Sequence, residues 1–132
     1  MGILDVSAAQ WVVVKSDVGL PALTGTTSAG IVPAAALKQR PLPARPFVAW
    51  QPGVVAGESG DMRTVFGTWY AYDDTSQGHA RLNLLIDRIA EVYGFDSVAF
   101  CRTTTSNISG NNEDTALGLN VRSIQVTSKR LS

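Results

Sequence analysis

Apolar residues recur at three- and four-residue steps most clearly between Ser76 and Tyr93. Leu82, Leu85, Ile86, Ile89 and Val92 or Tyr93 form the stripe, while His79, Asn83, Asp87, Arg88 and Glu91 fall off it. That spacing predicts an amphipathic helix laid on a core. Asp74, Thr75 or Ser76 is expected to cap its first turn, and Gly94 to close it. A second helix is expected over 5–20, with Ala8, Trp11, Val12, Lys15 and Val18 at helical spacing. Its three consecutive valines argue for a strand instead, because β-branched residues prefer extended backbone. Gly19 and Pro21 break it, and a short turn through PALTG follows.

Alternation takes over elsewhere. Phe47 to Gln51 reads as a strand stopped by Pro52 and Gly53, with a glycine-bearing polar loop after it. Met62 to Tyr72 is the clearest strand. Val65, Trp69 and Ala71 share one face with Gly67; Phe66, Tyr70 and Tyr72 share the other with Thr64 and Thr68. A strand apolar on both faces is central in a sheet or meets a partner on its second face. Val98 to Thr104 and Leu117 to Lys129 read as the last two strands. In the final one the apolar positions switch from odd (Leu117, Leu119, Val121) to even (Ile124, Val126), which predicts a bulge near Arg122 and Ser123.

Between these elements lie long loops. Residues 24–46 carry repeated glycines and prolines, with a brief strand at Ile31–Val32, a helical turn at Ala34–Ala36 and an extended RPLPARP run. Residues 105–116 read as a polar turn or long flexible loop. The order is helix, long loop, two strands, helix, two strands. It predicts one α+β domain over 1–132: a mostly antiparallel sheet of about four strands with two helices on one face.

Composition narrows the reading. The chain has 132 residues, 45% of them hydrophobic and 17% charged, below the roughly 25% of a typical domain. Eleven cations balance eleven anions. Nucleic-acid binding through the phosphate backbone usually needs a basic surplus, so the balance counts against that class. Near-zero net charge favours association over repulsion. The one cysteine, Cys101, cannot form an internal disulfide and reads as a core thiol. No apolar run is long enough to cross a membrane, and the first residues do not read as a secretory signal.

The polar cluster Asp73, Asp74, Thr75, Ser76 and His79 is the one candidate for catalysis. A Ser–His–Asp device requires a base-activated nucleophile and oxyanion donors, and no nucleophile elbow is present. Helix capping is the simpler role for these residues. One histidine and one cysteine do not make a zinc site. The segment 111–115, NNEDT, lacks the spacing of a calcium loop, and 57-GESG-60 lacks the lysine of a phosphate loop. The aromatics Trp69, Tyr70 and Tyr72 read as core or interface, since the basic signature of RNA-binding sheets is missing. Neither cofactor nor metal is expected.

The segments 17-DVGLPALTG-25 and 69-WYAYDD-74, with the helix RLNLLIDRIAEVYG after them, resemble the small tail-terminator or tail-completion proteins of long-tailed bacteriophages and phage-like particles. In that family a leading helix runs into an aspartate–leucine–glycine stretch, and an aromatic strand ending in aspartate precedes a leucine/isoleucine-striped helix. The resemblance covers most of the chain and rests on order and spacing; the 24–46 loop departs from it. It implies a homo-oligomeric ring, a hexamer in that family, seated on the head-proximal end of the tail tube. The partners implied are the tail-tube protein and a head–tail connector or head-closure protein, with DNA only passing through the lumen, no membrane, and a place in the virion. A head-closure or adaptor protein of the neck is the nearest alternative. A small nucleic-acid-binding α+β domain and a small enzyme are the others. Ring contacts are expected from Arg63, Trp69, Tyr72, Asp73, Asp74, Arg81, Arg102, Glu113, Asp114 and Arg122, because arginine forks pair well with carboxylates across interfaces. Loops 53–61 and 105–116 are expected to make the axial contacts.

Overall fold

A computed structural model describes residues 3–20, 30–57, 63–94 and 101–130, and of residues 3–5, 54–57, 63, 101, 102 and 130 the backbone only. In chain order it forms helix α1 (Ile3–Lys15), strand β1 (Ile31–Pro33), a 3-10 turn (Ala34–Lys38), β2 (Phe47–Gly57) and β3 (Arg63–Asp74). A 3-10 turn (Thr75–Gln77), helix α2 (Ala80–Gly94), β4 (Cys101–Ser106), β5 (Asn112–Asp114) and β6 (Leu119–Arg130) complete it. The strands lie in one sheet in the order β1-β2-β3-β6-β4, with β5 also on β6. The β1–β2 pair is parallel and the other pairs are antiparallel. The α+β expectation holds, and the sheet is mixed and six-stranded where about four strands were expected. β1 is the brief strand expected at Ile31–Val32, while the addition β5 has three residues, too few for alternation to reveal.

Both helices pack on one face. Val14 and Leu20, with Leu82, Leu85, Ile86, Ile89 and Tyr93 of α2, meet Val48, Trp50, Trp69, Ala71, Ile124 and Val126 of the sheet. The stripe of α2 is the one its spacing predicts. That of α1 is not: Val6, Gln10 and Val14 are buried, while Val12 and Val18 are exposed. A helix with apolar side chains nearly all round does not choose its face by spacing, so the sheet chooses it. The helix also ends at Lys15 rather than 20. Ser16 Oγ bonds back to Val12 O at 2.6 Å, and Asp17 Oδ2 accepts the Leu20 amide at 2.9 Å.

The buried Gln10 ties three elements together. Its Nε2 donates to Val65 O at 3.2 Å and to Ser128 Oγ at 2.9 Å, and Ser128 Oγ meets Thr103 Oγ1 at 2.8 Å. Its Oε1 is a buried side-chain acceptor without a hydrogen-bond partner. Its backbone oxygen accepts from the Tyr93 hydroxyl, which in turn accepts from Trp69 Nε1 at 2.9 Å.

The second face of the sheet has its own smaller core. Phe47, Ala49, Tyr72 and Leu119 are buried there beneath Leu37 and Leu42. The segment after β1 therefore straps half of this face within the chain. β3, the two-sided strand of the sequence, does sit centrally, between β2 and β6, and part of its second apolar surface is satisfied without a neighbour. Within the strap, the Arg40–Pro41 and Arg45–Pro46 peptides are cis.

Two strand expectations need correction. Pro52 does not stop β2, which runs on to Gly57 with a register shift between Pro52 and Val55. Among the described residues the strand is paired there with β3 alone, the edge setting in which a strand tolerates proline. The bulge expected near Arg122 and Ser123 is absent: β6 pairs with β3 in unbroken register from Leu119 to Lys129. Alternation is strict, and the buried side changes. Leu119 and Val121 face the strapped core, whereas Ile124 and Val126 face the helices. Opposite Leu119 and Val121, the helix-side positions hold Asn120 and Arg122, which bond to Gly78 O at 3.1 Å and to Asn83 Oδ1 near the start of α2.

Residues 105–116 are not a free loop. Ser109 donates its amide to Ser123 O at 2.9 Å, and its hydroxyl accepts the Ser123 amide at 2.8 Å. β5 then pairs with β6 through a turn in which Asp114 Oδ1 accepts Leu117 N at 3.1 Å and Gly118 adopts φ +68°. The PALTG turn, the GESG tip and residues 98–100 of the expected fourth strand lie outside the described residues.

Gly67 is fixed by packing. A Cβ there would land inside the six-membered ring of Trp50, which crosses from β2 to cover the glycine. Glycine is poor in a strand by propensity, but the overlap outweighs that. Gly67→Ala is expected to lower stability by about 1–3 kcal/mol in urea unfolding. An unchanged or raised midpoint would count against this packing.

Candidate functional site

The junction between β3 and α2 gathers the polar residues that the sequence singles out. Asp73 is the next-to-last residue of the central strand, and its side chain is fully buried. Arg81, in the first turn of α2, grips it with both prongs: Nε to Oδ2 at 2.8 Å and Nη2 to Oδ1 at 2.6 Å. Asp73 Oδ1 also accepts the Asp74 amide at 2.8 Å. The hydrogen bonds to Asp73 raise the pKa of Arg81 above its ordinary value. Next to this clamp, Arg45 of the strap lies 3.3 Å from Asp74 Oδ1.

The capping expectation is corrected here. The helix proper starts at Ala80, behind the Thr75–Gln77 turn and Gly78 at φ +64°, and the turn has no side-chain cap from Asp74. Both aspartates are instead held by arginines. His79 Nε2 lies 3.4 Å from Asn112 O, on the β5 side. Asp73 thus goes to Arg81 and His79 to Asn112, and the residues expected of a Ser–His–Asp relay are not brought together.

A second clamp joins α2 to the segment after α1. Arg88 Nε and Nη2 reach Asp17 Oδ2 and Oδ1 at 2.9 and 2.7 Å, and Arg88 Nη1 reaches Glu91 at 3.1 Å. A Cβ at Gly19 would strike the Arg88 guanidinium, so glycine lets it lie against the backbone. The Arg88 hydrogen bonds hold the Asp17 carboxyl below the usual carboxylate range, although burial opposes them. No local pattern announces this pair, which lies 71 positions apart. A third arginine, Arg122, donates Nε and Nη2 to Ser109 O at 3.1 and 2.8 Å and so ties the 107–111 loop to the sheet.

The residues expected at a ring interface therefore divide. Trp69, Tyr72 and Asp73 are buried inside the chain and present no surface to a neighbour. Burial, with the nearby Asp114 charge, pushes the Tyr72 hydroxyl up to about 12. Arg81, Asp74, Arg122 and Asp114 already have partners within the chain. Glu113 is exposed. The side chains of Arg63 and Arg102 lie outside the described residues.

The unstrapped half of the second face is open among the described residues. Strand register lays Gln51, Thr68, Gln125 and Ser106 in one row across β2, β3, β6 and β4, beside Phe66, Thr127 and Thr104. All seven are partly or fully exposed, and none carries a charge. Among the described residues no group of three or more His, Cys, Asp or Glu side chains is placed to hold a metal ion. No described helix is long and apolar enough to cross a membrane. No known family model matches the chain, and no curated protein matches its sequence.

The Asp73–Arg81 clamp is asymmetric, because the carboxylate is fully buried while Arg81 is 35% exposed. Removing the arginine strands a buried charge, whereas removing the carboxylate leaves an arginine that can turn to water. Arg81→Met is expected to cost about 3 kcal/mol and Asp73→Asn about 1–2 kcal/mol in urea unfolding. Equal or reversed costs would contradict this account.

The second clamp has a pH signature. With its folded pKa lowered, Asp17 contributes stability that is complete above its unfolded value of 3.8 and is lost as pH falls through the folded value. Asp17→Asn is therefore expected to flatten the fall in melting temperature below about pH 4. A parallel acid profile in the variant would remove Asp17 from the acid response.

Proposed function

We propose that this chain is a structural virion protein that forms a ring at the head-proximal end of a bacteriophage tail tube. There it ends tube growth and offers a surface to the head connector. The observation that carries the reading is the order of the motifs. A leading helix with DVGLPALTG, the central strand ending in WYAYDD and the striped helix follow one another as in tail terminators. In this fold both helices lie on one face of the sheet. The neutral charge balance suits extensive protein contact, and the open row of uncharged side chains from Gln51 to Ser106 offers surface for it. A ring of identical copies needs two different patches per subunit, meeting head to tail.

The test is co-expression with a tail-tube protein. Light scattering and electron microscopy are expected to find rings, free or seated on tube ends, and tubes of limited length. A chain that stays monomeric and leaves tube ends and lengths unchanged refutes the reading.

A further inference from the structure

Charge is divided unevenly along the chain. From Val18 to Gly57 the charged residues are Lys38, Arg40 and Arg45, all cations; from Thr103 to Val121 they are Glu113 and Asp114, both anions. The fold carries the two sets to opposite sides of the sheet. At the level of Phe47 and Val48 the strands run β1-β2-β3-β6-β5, so β1 and β5 are outermost among the described residues. Lys38 closes the 3-10 turn that leaves β1, and that turn packs on β1 and β2. Glu113 and Asp114 lie in β5, beyond β6. From β1 to β5 is four strand spacings, about 19 Å.

These two sets are not answered alike within the chain. Arg45 is paired with Asp74, as Arg81 is with Asp73 and Arg88 with Asp17. Lys38 and Arg40 are exposed and enter no ion pair among the described residues. Arg40 Nη1 donates to two strap carbonyls, Leu37 O at 2.9 Å and Gln39 O at 3.0 Å, which leave its charge uncompensated. On the far side Glu113 is exposed, and Asp114 accepts the Leu117 amide but holds no cation among the described residues. Zero net charge lets copies approach without general repulsion, so the local patches decide how they meet. Different patches on opposite sides suit a head-to-tail row of copies. Exposed ion pairs add little strength; they set which surfaces meet and in what orientation. Apolar neighbours supply contact area: Ile108, 49% exposed on the loop before β5, and Pro41, exposed in the strap.

We propose that copies of this chain associate head to tail through charge, the basic strap of one copy (Lys38 and Arg40) meeting the acidic β5 of the next (Glu113 and Asp114). The closing of that row into a ring rests on the function proposed above; the pairing of strap with β5 does not.

Carbodiimide, which joins a lysine to a carboxylate only where the two touch, tests it in the unaltered chain. Isotopically light and heavy copies are mixed, alone and with a tail-tube protein. Mass spectrometry is expected to find heavy–light peptides joining Lys38 to Glu113 or Asp114. Sedimentation is expected to find species larger than dimers that dissociate as salt rises. Two charge variants follow: Lys38→Glu with Arg40→Gln, and Glu113→Lys with Asp114→Asn, whose amide oxygen still accepts the Leu117 N–H. Each alone is expected to weaken association roughly tenfold or more, and an equal mixture of the two to restore it, because each then meets the opposite charge. Association without that cross-link, and with both variants unimpaired, overturns the charge pairing and leaves the ring standing. The same cross-link in a species that stops at dimers replaces the row with a two-fold pair. Monomers under both conditions reject the pairing and the ring together. The cross-link needs no substitution, so it decides even where a variant does not fold.

Discussion

Burial of Trp69 is the interaction on which the rest of the structure depends. It sits on the central strand, stacked on Trp11 of α1 at 5.7 Å and tilted against Trp50 of β2 at 5.0 Å. Its indole N–H reaches Tyr93 of α2, and the Tyr93 hydroxyl reaches the backbone of α1 at Gln10. One side chain therefore ties together two strands and both helices. Magnitudes rank its contributions. Removing some 150–250 Å² from water is worth roughly 4–6 kcal/mol, against about 0.5–1.5 for each ring pair and about 1 for the hydrogen bond. Burial supplies the strength, and the polar link supplies direction. It holds each helix where the hydroxyl and the indole can both be satisfied.

Around that centre the charged groups work mostly within the chain. Arg81 fastens the end of β3 to the start of α2, and Arg88 fastens α2 to the segment after α1. Both are bidentate and carry a preferred orientation that a lysine cannot reproduce. The strap performs a similar service on the other face, where Leu37 and Leu42 cover the aromatic pair Phe47–Tyr72, whose ring centroids are 5.1 Å apart.

Much of this was legible in the residues. The stripe of α2 and the two-faced alternation of β3 fix their elements, because their apolar spacing has one solution. For α1 the spacing has several solutions, and the sheet selects the stripe from Val6 to Val14 over the one from Ala8 to Val18. The polar junction was legible as a cluster but not as a pair of clamps. Asp73 and Arg81 are eight positions apart, and their meeting depends on the path of the Thr75–Gln77 turn. The Asp17–Arg88 pair, the role of Gln10 and the strap arise only from tertiary folding, which no local pattern records.

The change of buried side along β6 has a consequence for misfolding. In a uniformly alternating strand, a slip of two residues restores every side chain to an equivalent environment and goes unpunished. Here such a slip would drive the Arg122 guanidinium into the dry slot of Ile124, or carry Asn120 away from Gly78. Strand β6 is thus proofread twice, against odd and even errors alike. A sheet with one reading frame for this strand can fold without stalling among near-copies of itself.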